Sequence, residues 1–358
     1  MTRRSMCWIG LIPLLAIWGL ANWVKTQPIE AELIERARRG VADAGLDAGG
    51  VAIAGRDVSL AGLLFEEKQR GVATARAESV SGVRLVNVDG LNPIPVVSPY
   101  LWSAARDGGK LTLAGGVPNP SARARIVAAA KAAVPGAEII DQMAFAGGAP
   151  GGFDTAAAFS LAALSGLDGG RVDLSNLAYS IAGQAATLPS YRAILDGARK
   201  LPDGMSLAAM AVRPPLVKPY VWSLAKDGAA IRLEGFAPDI AGINAAGVAA
   251  QAPPLRVDND LKPGSGLAAG LDHTSATAFA ASLLGKLKTG LATVKDGVLS
   301  LKGEAYGSDR ALVLERLKAA LAGGLTLGTV DIRDLGLSPA ELQAKAAAEA
   351  AAAAARAA

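Results

Sequence analysis

Hydrophobic and polar residues alternate through five short segments of one form: apolar, polar, apolar, any residue, glycine. They are Val58–Gly62, Leu111–Gly115, Tyr179–Gly183, Ile231–Gly235 and Leu299–Gly303. Alternation with a period of two is the pattern of a strand with one buried face. Gly62, Gly115, Gly183, Gly235 and Gly303 are spaced by 53, 68, 52 and 68 residues, so every second copy lies 120 or 121 residues further on. A fixed period of this kind identifies tandem repeats, here with alternating long and short units. The glycines themselves read as architecture: without a Cβ, glycine ends a strand with positive φ or admits a close neighbour.

A second strand and a turn precede each of these segments. Asp107-Gly108, Asp227-Gly228 and Asp296-Gly297 favour tight hairpins, because both residue types tolerate positive φ; Asn176 and Gly55-Arg56 stand at the corresponding places. After each glycine come a loop, a helical stretch and a closing strand, the last at residues 83–88, 137–146, 205–212, 255–261 and 325–332. A helix between two strands of one sheet makes a right-handed parallel crossover. Leading helices at 29–44, 154–165 and 274–289 account for the longer units, whereas the shorter ones open on Pro99-Tyr100-Leu101-Trp102-Ser103 and Pro219-Tyr220-Val221-Trp222-Ser223. The expected fold class is therefore α+β, with αββαβ modules alternating with ββαβ modules. Their expected spans are residues 28–92, 93–148, 149–215, 216–264 and 265–337, and an Ala-rich helical tail occupies 338–358. Ser338-Pro339-Ala340-Glu341 is a capping box that starts that tail.

Residues 1–27 read as an N-terminal membrane anchor. Arg3 and Arg4 precede an uncharged run from Ser5 to Val24, closed by Lys25. Twenty such residues suffice for a hydrocarbon core of ~30 Å, and Trp8 and Trp23 sit near the ends of the run, where indoles favour the interface. The basic flank predicts a single-pass protein of the bacterial inner membrane, with its N-terminus cytoplasmic and its modules in the periplasm. A cleavable signal peptide is the competing reading, but Asn22 to Thr26 lack the small-x-small pattern that cleavage needs.

Composition narrows the chemistry. The net charge is +4, no dense Lys/Arg cluster occurs, and nucleic acid is not an expected partner. His273 is the only histidine and Cys7 the only cysteine, so no His-based triad, His cluster or thiolate metal site can be assembled from this chain alone. Asp272-His273-Thr274 reads as a helix N-cap. No G-x-S-x-G, Walker A or G-x-G-x-x-G sequence is present, and Gly147–Gly152 reads as a linker. No catalytic residue, cofactor or metal is expected, and the chain reads as non-enzymatic. Tyr100, Trp102, Tyr220 and Trp222 carry two readings: core or module interface for a chain with only 4% aromatic residues, or exposed contacts for lipid headgroups or a partner.

The αββαβ unit with its glycine-ended strand resembles the BON domain, and residues 296–303, Asp-Gly-Val-Leu-Ser-Leu-Lys-Gly, carry the resemblance best. Residues 99–119 and 219–239 resemble multi-BON envelope proteins of Gram-negative bacteria. In those an N-terminal anchor and BON repeats precede an OmpA-like peptidoglycan-binding domain, for which nothing here corresponds after Ser338. The resemblance implies an envelope protein, held in the membrane through residues 5–24, whose repeats bind phospholipid or envelope proteins and support envelope integrity. The alternative expectation is an oligomerising scaffold, ring- or filament-forming, of a secretion or envelope assembly.

Overall fold

The computed structural model describes residues 3–42, 50–251, 256–319 and 321–357. The order of elements repeats along the chain. Helix α1 (Arg3–Ala42) leads β1 (Val51–Ala54), β2 (Asp57–Leu64), α2 (Glu67–Glu78) and β3 (Leu85–Pro93). The second module has no leading helix: β4 (Leu101–Asp107), β5 (Lys110–Val117), α3 (Pro120–Ala133) and β6 (Glu138–Phe145). The third restores it, with α4 (Phe153–Ser165), β7 (Leu167–Ser175), β8 (Ala178–Ala185), α5 (Leu188–Arg199) and β9 (Ser206–Arg213). The fourth comprises β10 (Val221–Asp227), β11 (Ala230–Ala237), α6 (Ile240–Ala249) and β12 (Arg256–Pro263). The fifth comprises α7 (His273–Leu284), β13 (Thr289–Lys295), β14 (Val298–Ala305), α8 (Gly307–Lys318) and β15 (Thr326–Asp334). Helix α9 (Pro339–Ala357) closes the chain. It starts at a reciprocal box in which Glu341 N–H donates to Ser338 Oγ and Ser338 N–H donates to Glu341 Oε2.

The architecture is α+β with three mixed sheets, ordered β1-β2-β3, β6-β5-β4-β7-β8-β9 and β12-β11-β10-β13-β14-β15. Hairpins such as β10–β11 and β13–β14 are antiparallel, whereas β2–β3, β8–β9, β11–β12 and β14–β15 are parallel pairs joined through a helix. Positive φ at Asn176, Asp296 and Gly297 closes the tight turns. By packing, the chain divides into two compact units: Met1–Trp102 with Leu113–Ala128 and Asp141–Asp154, and Ser103–Thr112 with Ala129–Ile140 and Thr155–Ala358. The first contains the three-stranded sheet, with a core of Ala37, Val41, Val51, Val58, Leu60 and Ala73. The second contains the β12-to-β15 sheet, whose buried Trp222, Leu224, Leu233, Val294 and Leu301 meet Ala276, Ala280 and Leu284 of α7. Ser223, Arg232, Thr293 and Lys302 alternate with those strand residues and stay half-buried or exposed.

The expected N-terminal transmembrane helix is corrected. Among the described residues no helix is long and apolar enough to cross a membrane, so neither an anchor at residues 5–24 nor a single-pass inner-membrane arrangement follows. The apolar run is the first part of a 40-residue helix that continues unbroken past Lys25 into the charged stretch from Glu30 to Arg39. There α1 serves as the leading helix of the first module: Leu33, Ala37 and Val41 are buried, four residues apart on one face. The side chains of residues 3–12 and 21–29, including Cys7, Trp8 and Trp23, lie outside the described ones.

Candidate functional site

At one joint in this chain a module's sheet continues into the next. Strand β10 pairs antiparallel with β13 from Val221↔Lys295 to Lys226↔Gly290, and this pairing fuses two three-stranded sheets into one of six strands. Each of these strands is the first of its own module. Beyond the ladder, Asp296 N–H donates to Tyr220 C=O at 2.9 Å and Tyr220 N–H donates to Asp296 Oδ1 at 2.8 Å. The aspartate that shapes the β13–β14 turn therefore also ties down the neighbouring module.

Helix α7 roofs the joint. Its N-cap is Asp272, whose carboxylate accepts from Thr274 N–H at 3.0 Å and from Ser275 N–H and hydroxyl. These bonds hold the Asp272 carboxyl below its ordinary pKa, the Ser275 hydroxyl having the largest effect. His273, the first helical residue, lies with its ring centroid 4.5 Å from that of Trp222, and its Nε2 meets Phe236 C=O at 3.1 Å. Burial depresses the imidazole pKa, the Phe236 carbonyl opposing that shift. At the far end of α7, Lys226 Nζ donates to the carbonyls of Gly285 (3.2 Å) and Leu287 (2.6 Å). Gly285 caps α7, so its carbonyl is an acceptor with no partner within the helix, whereas Leu287 lies in the link to β13. Arg106, 120 residues earlier, donates likewise to the carbonyls of Ser165 (3.2 Å) and Leu167 (2.5 Å).

All four sequence-predicted aromatic contacts are buried. Tyr220 and Trp222 pack edge to face, with centroids 5.9 Å apart. Tyr100 packs on Phe153 at 5.1 Å and its hydroxyl reaches Ala146 C=O at 3.4 Å; Trp102 Nε1 donates to Met143 Sδ at 3.4 Å. Burial, with Asp154 adding to it, pushes the Tyr100 pKa up to about 12. None of the four presents a surface to lipid or to a partner. The five glycines do not end the second strand of each module but lie within it, two residues before its last residue. Gly235 shows why: it lies opposite Trp222, and a Cβ there would stand 2.4 Å from Val221 O, as one at Gly115 would from Leu101 O. Gly183 and Gly303 also abut first-strand backbone, whereas nothing lies within 4 Å of a Cβ at Gly62.

The cavities differ in their lining: one of about 540 Å³ has Glu66, Glu67 and Arg70 beside Leu64 and Ile94, and Lys286, Glu315 and Arg316 line the second of the two that follow. A cleft of about 310 Å³ between α4 and α5 is lined by Phe159, Ala163, Tyr179 and Ile194, and one of about 420 Å³ lies between α7 and α8. Among the described residues no group of three or more His, Cys, Asp or Glu side chains could hold a metal ion. Arg106 and Lys226 are the residues that the sequence reading passed over. Their signal was present, a basic residue immediately before the turn aspartate in both Tyr-x-Trp-Ser segments.

Residues 103–146 match the BON-like domain family. This stretch runs from β4 to just past β6, so the match falls on one module. No curated protein matches the chain. A solved structure, the C-terminal domain of CdsD, the structural protein of the type III secretion system of Chlamydia trachomatis, shares 12% identity. That comparison covers 52% of this chain and 98% of the other at a TM-score of 0.17, too low a likeness to bear on fold or function.

Proposed function

We propose that this chain is a non-enzymatic structural scaffold of an envelope or secretion assembly, in which BON-like modules associate through the edges of their sheets. The observation that carries the reading is the β10–β13 joint, where two modules become one sheet through main-chain pairing. The BON-like match at residues 103–146 and the resemblance to multi-BON envelope proteins support the setting. Protein partners fit this surface better than phospholipid does, because the aromatics that would meet headgroups are buried. Crosslinking of the full chain in cells, followed by light scattering on the purified chain, tests the reading. Complexes with further copies or with other proteins are expected. A chain that is monomeric in solution and crosslinks to no protein overturns it.

A further inference from the structure

The cleft between α4 and α5 has small side chains for walls and aromatic rings for a floor. Ala162 and Ala163 of α4 and Ala193 of α5 line it, and Phe159 packs edge to face on Tyr179 with ring centroids 5.5 Å apart. Glycine lets the helices close in at two places. A Cβ on Gly166 would stand 3.3 Å from Ile194 Cδ1, and one on Gly197 would stand 3.7 Å from Phe159 Cζ. The hollow that remains measures about 310 Å³, and among the described residues that line it none is charged. A dry cavity of about 150 Å³ accepts one benzene, and small-molecule sites begin near ~300 Å³.

Three hydroxyl groups belong to this lining, and two are satisfied. Ser165 Oγ donates to Ala162 C=O at 2.7 Å, and Ser190 Oγ lies 2.8 Å from Thr187 Oγ1. The third belongs to Tyr179, whose side chain is rooted in β8 beneath the two helices and is 1% exposed. Its hydroxyl is buried and has no hydrogen-bond partner among the described residues. Burial raises its pKa, so the phenol keeps its proton and stays a neutral donor. A buried donor without an acceptor is destabilising, and a ligand that brings the acceptor relieves it.

The cleft between α7 and α8 in the fifth module is different. There, 120 residues on, Leu283 stands for Ala163, Lys286 for Gly166 and Leu299 for Tyr179, while Glu315 and Arg316 add charge. Of the two clefts, that of the third module alone joins an uncharged lining to an unpaired hydroxyl.

We propose that the α4–α5 cleft binds a small, uncharged, mostly apolar molecule, a ring with a short substituent, whose carbonyl oxygen accepts a hydrogen bond from Tyr179. This binding is independent of the scaffold reading.

The test is saturation-transfer NMR on the full chain, titrated with acetophenone and with ethylbenzene, which has the same shape but no oxygen. Both are expected to bind. Tyr179→Phe keeps the ring and should weaken acetophenone about three- to tenfold while leaving ethylbenzene unchanged. Ala163→Leu installs the residue that the fifth module carries at that place, and Ala193→Leu fills the cleft from an exposed position on α5. Each should abolish transfer to both compounds, with thermal melts showing that the variants remain folded, whereas Ala319→Leu in the α7–α8 cleft should change nothing. Transfer that survives both fillings overturns the site, as does no transfer with either compound. An equal response of the two compounds to Tyr179→Phe overturns the hydrogen bond, and with it the proposal.

Discussion

The imidazole of His273 lies on the indole of Trp222, with ring centroids 4.5 Å apart and planes inclined at 42°. One residue comes from α7 and the other from β10, so this contact spans two modules. Four buried polar atoms of this region, His273 Nδ1, Trp222 Nε1, Tyr220 OH and Thr277 Oγ1, have no hydrogen-bond partner. The residue 120 positions before His273 is Phe153, which fills the matching place with a ring that carries no polar atom.

That difference predicts a pH response. An imidazole in the unfolded chain takes up its proton near pH 6.5, whereas burial holds the folded one neutral to lower pH. Between those values the unfolded state binds the extra proton, so stability is complete above about pH 6.5 and erodes as the pH falls. Thermal melts of the full chain at pH 7.5 and pH 5.5 should show this loss. His273→Phe should remove its share of the loss in that interval, and an unchanged difference would count against the assignment.

Lys226 ties β10 to the end of α7 and to the link that follows it through two carbonyls. Lys226→Met keeps the stem and removes the donors, leaving acceptors without partners at a cost of about 1 to 2 kcal/mol. Amide exchange should quicken first in the last turn of α7. Arg106→Met should act in the same way on the last turn of α4.

Gly235 and Gly71 should respond in opposite directions. Gly235 has a φ of +107° and no room for a Cβ beside Val221 O, so Gly235→Ala should cost about 2 kcal/mol or more. Gly71 is exposed inside α2 with nothing within 4 Å, so Gly71→Ala should add about 0.5 to 1 kcal/mol. Denaturant unfolding of each variant checks both.

Local order was legible where local chemistry decides it. The alternation in residues 58–62 or 299–303 has one structural solution, a half-buried strand, and Asp296-Gly297 has one turn that suits it. The box at Ser338 and Glu341 and the cap at Asp272 follow from side chains that satisfy helix N–H groups a few residues away. The joint was not legible, because main-chain groups form it and leave no mark on residue type; the nearest trace is the alternation of modules with and without a leading helix. The apolar run at residues 5–24 misled for a related reason. A hydropathy window stops at Lys25, whereas the helix continues to Ala42 and belongs to the first module's core. Tyr100 and Trp222 were ambiguous because an aromatic residue on a first strand suits either a core or a surface, and burial decides between them only once the roofing helix is in place.

The β10–β13 joint also has a mechanical direction. Antiparallel hydrogen bonds lie perpendicular to their strands, so a pull along the strands loads all six residue pairs together, while a pull across them opens the pairs one after another. The same contact is thus a shear clamp along one axis and a zipper along the other.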